Sequence, residues 1–247
     1  MTVVVGVCIA ILQNCSSHKD MEEQTKLLVA KIEKVQPEDA SDELKAEVRT
    51  AEERIADPKT YDDFFLKAYA AQMDENYDKA MEYYRKVIEL APESAMAYNN
   101  MGIVYDLGKQ DYVKAIECYE KAIDLAPDDA ETYYDAYYNM GVAYNLKQDY
   151  DKAIECSETA IKLKPDSAGA YCLMGVAYNG KQDYDKAIEC SETAVKLKPD
   201  YELAYASMGF AYSRKGIKKK AIECMKKAAQ LGFEPAQKWL AESDKTE

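Results

Sequence analysis

Residues 141–166 read GVAYNLKQDYDKAIECSETAIKLKPD, and residues 175–200 read GVAYNGKQDYDKAIECSETAVKLKPD. The two stretches lie 34 residues apart and differ only at Leu146/Gly180 and Ile161/Val195. Near-identity at a fixed offset marks an internal repeat, so the fold must be one that stacks the same unit on itself. The frame extends in both directions. Ala80, Ala115, Ala153, Ala187 and Ala221 share one position, with spacings of 35, 38, 34 and 34. A second small position reads Ala68, Gly102, Gly141, Gly175 and Gly209, and Tyr105, Tyr144, Tyr178 and Tyr212 follow the last four by three residues. A third reads Val87, Ala122, Ala160, Ala194 and Ala228, and Pro92, Pro127, Pro165 and Pro199 close four of the units. Glycine and alanine let two antiparallel helices approach closely, large tyrosines fill the gaps between them, and proline stops the second helix.

This pattern resembles the tetratricopeptide repeat, a 34-residue helix–turn–helix unit. The resemblance implies an all-α fold: a right-handed α-solenoid of about five such repeats, with an N-terminal helical hairpin and a C-terminal capping helix. One unit cannot bury its apolar face alone, so neighbours must stack. The expected divisions are 61–94, 95–129, 130–167, 168–201 and 202–235, followed by a capping helix and tail at 236–247. Pro235, Trp239 and Leu240 mark that cap.

The sequence departs from the family pattern in three places. Where the family carries an aromatic midway along the second helix, Tyr84 and Tyr119 fit, but Ser157 and Ser191 do not. Cys156 and Cys190 beside them supply part of the missing volume, and looser packing is expected in these two repeats. The second repeat holds one extra residue, assigned to the turn Gly108–Asp111. The third holds four extra, Glu131–Tyr134 being followed by the similar Asp135–Tyr138. Four residues are about one helical turn, so this insert lengthens the first helix without changing its face. It also sets Tyr133, Tyr134, Tyr137 and Tyr138 in two i,i+4 pairs, either a ledge for a ligand or packing between repeats.

Composition narrows the function. The chain has 247 residues and a formal net charge of −13, with 10 glycines and 7 prolines. A nucleic-acid binder needs a basic face to neutralise phosphate, so no nucleic-acid partner is expected. The single histidine is His18, which removes histidine-based catalytic triads and histidine-containing zinc sites from the rest of the chain. Neither a G-x-x-x-x-G-K-[ST] loop nor a G-x-G-x-x-G stretch is present. No catalytic residues, metal site or cofactor are expected, and an enzyme built on carboxylates of residues 20–60 has no recognisable surroundings.

The first 60 residues read differently. Val3 to Leu12 form an apolar run too short to span a bilayer as a helix. The following Leu12-Gln13-Asn14-Cys15-Ser16-Ser17 resembles a bacterial lipoprotein signal. That resemblance implies lipidation at Cys15, membrane anchoring and a bacterial envelope location, with 1–19 as signal or tether. The alternative is an apolar segment packed on the domain of a cytoplasmic protein. Residues 20–57 fit a helical hairpin. Met21, Leu28, Ile32 and Val35 share one face up to Pro37, and Leu44, Val48, Ala51 and Ile55 share another after an N-cap at Ser41. Twelve acidic against seven basic residues over 20–60 make this a solvated end piece beside the array.

Of seven cysteines, Cys118, Cys156, Cys190 and Cys224 share one repeat position. One per repeat is too far apart for a single tetrahedral site or an easy disulfide, so they read as small packing residues. Unpaired thiols fit a reducing compartment.

The family resemblance implies a concave surface lined by the first helices and holding an extended peptide or partner helix. Its positions here are Asn99, Ile103 and Asp106, then Tyr138, Val142 and Asn145, then Cys172, Val176 and Asn179, and finally Ala206, Phe210 and Ser213. The centre is apolar and one edge is an amide ladder able to donate to and accept from a peptide backbone. A family subset grips the C-terminal carboxylate of cytosolic chaperones with basic residues. The matching positions, Phe65, Tyr69, Asn100, Asp135 and Asn139, hold none, so that function is rejected. The last repeat is locally basic: Arg214, Lys215, Lys218, Lys219, Lys220, Lys226 and Lys227 face one acid, Glu223, over 214–227. The expected function is a non-catalytic protein-binding scaffold or adaptor, the alternative being a cytoplasmic regulator or assembly chaperone of the same fold.

Overall fold

The structure is a computed structural model that describes residues 60–126 and 129–243. Cys15, the apolar run, the hairpin at 20–57 and Pro127 lie outside the described residues. The described chain forms helices joined by short turns and falls into two compact units divided between Val104 and Tyr105. No strand occurs among the described residues.

The first unit holds α1 (Tyr61–Met73), α2 (Tyr77–Leu90) and α3 (Ala95–Val104). Thr60 and Asp63 close a capping box at the start of α1, satisfying two backbone donors reciprocally. Ala68 on α1 and Ala80 on α2 are fully buried, which lets the two helices pack closely. Tyr84 fills the space beside them. Its ring lies edge-on to Phe65 at 5.8 Å, and its hydroxyl donates to Gln72 Oε1 at 2.9 Å.

The second unit begins with a π-helical turn at Tyr105–Lys109. It continues with α4 (Tyr112–Leu125), α5 (Ala130–Leu146), α6 (Tyr150–Leu163), α7 (Ala168–Gly180) and α8 (Tyr184–Leu197). Then come α9 (Glu202–Arg214), α10 (Lys218–Gln230) and α11 (Glu234–Ser243). The π turn corrects the placing of the extra residue. In later repeats the N–H of the capping residue closes on the repeated tyrosine five residues back: Asp149 on Tyr144, Asp183 on Tyr178, Ile217 on Tyr212. Asp111 closes on Tyr105, six back. The additional residue is therefore wound into the end of the first helix, and the turn itself keeps its form. The four-residue insert appears as expected: α5 has 17 residues where α7 and α9 have 13.

Each turn places one residue in the left-handed region, Gln110 at φ 51°, Gln148 at 63°, Gln182 at 64° and Gly216 at 75°. An aspartate then caps the next helix: Asp111, Asp149 and Asp183 accept from the N–H three residues on. Lysines of the second helices lie over the repeated tyrosines, Lys114 on Tyr105, Lys152 on Tyr144, Lys186 on Tyr178 and Lys220 on Tyr212, at 5.0–5.5 Å. At the C-terminal end Trp239 and Leu240 of α11 pack on Ala206, Met225, Ala228 and Ala236, covering the last repeat.

The looser packing expected around Ser157 and Ser191 is absent. Both side chains are fully buried and hydrogen-bonded, Ser157 Oγ to the Ala153 carbonyl and Ser191 Oγ to Ser207 Oγ. A Cβ added at Gly175 would stand 2.7 Å from Ser191 Oγ and 3.1 Å from the Ala187 carbonyl oxygen. Close neighbours fill the space an aromatic ring would occupy, Ser191 Oγ against Gly175 and a Leu173 methyl against Gly141.

Candidate functional site

The second unit carries a cavity of about 490 Å³ along α7 and α9, reaching the end of α5 and the first residues of α6 and α8. Four residues expected from the repeat frame line it: Asn145, Val176, Asn179 and Phe210. Phe210 is 46% exposed and Leu203 beside it 38%, so the wall over α9 is apolar and open to solvent.

The two asparagines form its polar floor. Asn145 Nδ2 donates to the Leu173 carbonyl at 3.2 Å, and Asn179 Nδ2 donates to the Ser207 carbonyl and to Ser207 Oγ, both at 3.0 Å. Each amide thus ties one first helix to the next. Because a carbonyl can only accept, the NH₂ group must face it, and the amide oxygen must face the other way. Both Oδ1 atoms are buried and accept no hydrogen bond among the described residues. Asn179 itself is only 9% exposed. Buried acceptors of this kind cost free energy unless something donates to them.

Residues beyond the expected set complete the cavity. Tyr150 and Tyr184 open α6 and α8, Gln182 sits in the left-handed turn position, and Arg214 ends α9. Arg214 Nε donates to the Tyr184 hydroxyl at 3.2 Å. In the preceding repeat the position of Arg214 is Gly180, and a Cβ there would lie 2.3 Å from the Tyr150 ring. The missing side chain lets that ring lie against the helix and form the wall. Leu146/Gly180 is one of the two differences between the near-identical copies, and that difference is the sequence signal for this site. Lys181–Asp151 and Lys215–Asp185 ion pairs flank the two tyrosines on the surface.

The remaining expected residues do not line the cavity. Cys172 is fully buried with Ala194 and Ala204 in the core, so its placement on the groove surface is corrected: the helix turns its side chain inward. Burial pushes its thiol up to about 12, and those of Cys118 and Cys156 to about 12 and Cys190 to about 11, so none is a thiolate at neutral pH. Val142 is half-buried, as is Ser213 near the end of α9. Tyr138 is half-buried against Gly169 and stacks with Tyr134 at 6.0 Å, while the Tyr134 hydroxyl bonds Ser167 Oγ at 2.6 Å. That pair therefore packs between repeats. Asp106 is buried in the π turn with Oδ1 lacking a partner. Asn99 and Ile103 belong to the first unit, the former buried and the latter half-buried. No cluster of ligating side chains able to hold a metal occurs among the described residues.

Comparison with known families matches tetratricopeptide repeat over residues 64–128, 93–166 and 203–231, and TPR repeat over 177–216. Together these spans exceed half of the chain. No curated protein matches in sequence. Among solved structures, that of MamA is similar at 30% identity and a TM-score of 0.56, covering 69% of this chain and 96% of that one. MamA 41-end from Desulfovibrio magneticus RS-1 is similar at 25% identity and 0.60, covering 68% and 92%. YrrB, described as a TPR protein with an unusual peptide-binding site, shares the fold at 21% identity and 0.57, covering 78% and 96%. With the repeated small residues buried between paired antiparallel helices and these matches along its length, the chain belongs to the tetratricopeptide repeat family.

Proposed function

We propose that the protein is a non-catalytic scaffold of five repeats that holds an extended peptide or partner helix on the face lined by its first helices. The observation that carries this is the cavity itself, where the exposed Phe210 and Leu203 and the half-buried Val176 stand beside Asn145 and Asn179 on the first-helix face. An apolar side chain of a ligand is what Phe210 and Val176 would cover. The net charge of −13 speaks against a nucleic-acid ligand. The test is site-specific photocrosslinking. A photoreactive residue replacing Phe210 should give one discrete protein adduct in the native host, and Val176→Glu should abolish it with helicity unchanged. No adduct, or one insensitive to Val176→Glu, refutes the groove.

On location two readings have support. The run Val3–Leu12 followed by Cys15 supports a lipid-anchored envelope protein, with the groove serving an envelope partner. The free Cys118, Cys156, Cys172, Cys190 and Cys224 support a reducing compartment and a cytoplasmic regulator or assembly chaperone. The intact mass of the protein from its native host separates them. A chain beginning at an acylated Cys15 establishes the envelope, and one retaining residues 3–12 without acyl groups establishes the second reading.

A further inference from the structure

The cavity holds one cation, Arg214, among its lining residues, and the acids that follow its two tyrosines are already paired. Asp151 pairs with Lys181 and Asp185 with Lys215, so neither is a free anion beside the opening. Arg214 uses Nε on Tyr184, and a guanidinium has four further N–H groups. From Arg214 onward the surface is basic, with Lys218, Lys219 and Lys220 exposed beyond the paired Lys215. In a chain of net charge −13 this end is the exception. Leu203 and Phe210 line the cavity from the same helix as Arg214, and Val176 lines it from α7, so an apolar surface adjoins the cation. Asn179 lines the cavity as well, its amide held by the Ser207 carbonyl and Oγ.

Resting on the groove reading above, we infer that the cavity is the anchor site for an acidic, extended peptide segment of a partner protein. One bulky apolar side chain of the segment enters against Phe210 and Leu203, and a carboxylate meets Arg214. Gly180 is the residue that admits it. Its frame equivalents are Leu146 and Arg214, and a side chain at 180 would displace the Tyr150 ring that forms the wall.

The experiment is calorimetric titration of the full chain with four end-blocked peptides, EDFED, SQFQS, KKFKK and EDAED. EDFED should bind, with SQFQS and EDAED each about tenfold weaker and KKFKK weaker still. Arg214→Gln should bring EDFED to the level of SQFQS, and Gly180→Leu should remove EDFED binding. Leucine is tolerated at the equivalent position of the preceding copy, and far-UV circular dichroism checks the fold. Phe210→Ala, at an exposed position, should give the same loss without touching the core. Equal binding of EDFED and SQFQS, both lost in Phe210→Ala, overturns the acidic partner and leaves the groove standing. EDFED binding that survives both Gly180→Leu and Phe210→Ala overturns the anchor site. No binding by any peptide also overturns it, while the groove reading is judged separately by the crosslink at 210.

Discussion

Asp106 stands at the ladder position that Asn145 and Asn179 fill in the next two repeats. Those amides donate to carbonyls of the following first helix at 3.2 and 3.0 Å. A carboxylate has no proton to give. Asp106 is 7% exposed, its Oδ1 has no partner, and burial raises its carboxyl above the ordinary value of 3.8. The folded protein therefore binds this proton more tightly than the unfolded chain does. Below 3.8 the group is protonated in both states and costs nothing by this route. As pH rises from there through the raised folded value, stability is lost, and above it the whole penalty is present. Asp106→Asn removes the buried charge and supplies an amide donor. A buried acceptor left without a partner costs roughly 1–3 kcal/mol, so the variant should gain about that much at pH 7.5. Urea denaturation followed at 222 nm, at pH 7.5 and at pH 4, reads the gain as a shift in midpoint at constant slope. The advantage should shrink on acidification. The converse change, Asn145→Asp, sets a carboxylate against the Leu173 carbonyl and should destabilise by a similar amount, most at high pH. An Asp106→Asn protein no more stable than the parent at pH 7.5, or one whose advantage is the same at both pH values, refutes the reasoning.

Three further outcomes are expected. Helix α10 starts at Ile217 with no capping side chain and carries Lys218, Lys219 and Lys220 in its first turn. Ile217→Asp should stabilise by about 1 kcal/mol through the cap and the helix dipole, seen as a higher urea midpoint that high salt partly erases. Gln148 holds a left-handed conformation, φ 63°, which Gly216 holds in the last repeat. Gln148→Gly should raise stability by roughly 0.5–1 kcal/mol, the relief of αL strain exceeding the entropy glycine adds to the unfolded chain, and a loss on thermal melting would contradict it. Gly175→Ala meets Ser191 Oγ and the Ala187 carbonyl, whereas Gly209→Ala meets the flexible Met225. The first should lose about 1–2 kcal/mol despite alanine's better helix propensity and the second stay near neutral, so equal urea midpoints would mean the helices do not pack as closely as described.

The fold was legible because the sequence repeats it. Gly141 and Gly175 sit 34 residues apart for the same reason, a second helix pressed against each, and that reason shows in the spacing alone. The extra residue of the second repeat was visible as a count. Its location was not, because a turn and a π-helical widening cost one residue alike, and only the backbone hydrogen bond from Asp111 to Tyr105 distinguishes them. Ser157 and Ser191 misled for a related cause. The volume of one side chain was read alone, whereas Leu173 of the next repeat and the serine hydroxyls fill the space.

The binding face was half legible. Frame positions named Asn145, Val176, Asn179 and Phe210, and placed Cys172 on the surface when it points into the core. A helix position fixes which direction a side chain leaves the axis. Whether another helix already stands there depends on neighbours remote in sequence, here Ala194 and Ala204. By itself the sequence determined the repeat, the helix pairing and the cap, because all of these are local or periodic. The tertiary structure decided which acceptors remain unpaired, and it made Gly180, Tyr150, Tyr184 and Arg214 one cavity. Those facts depend on distances between successive repeats, and no single repeat encodes them.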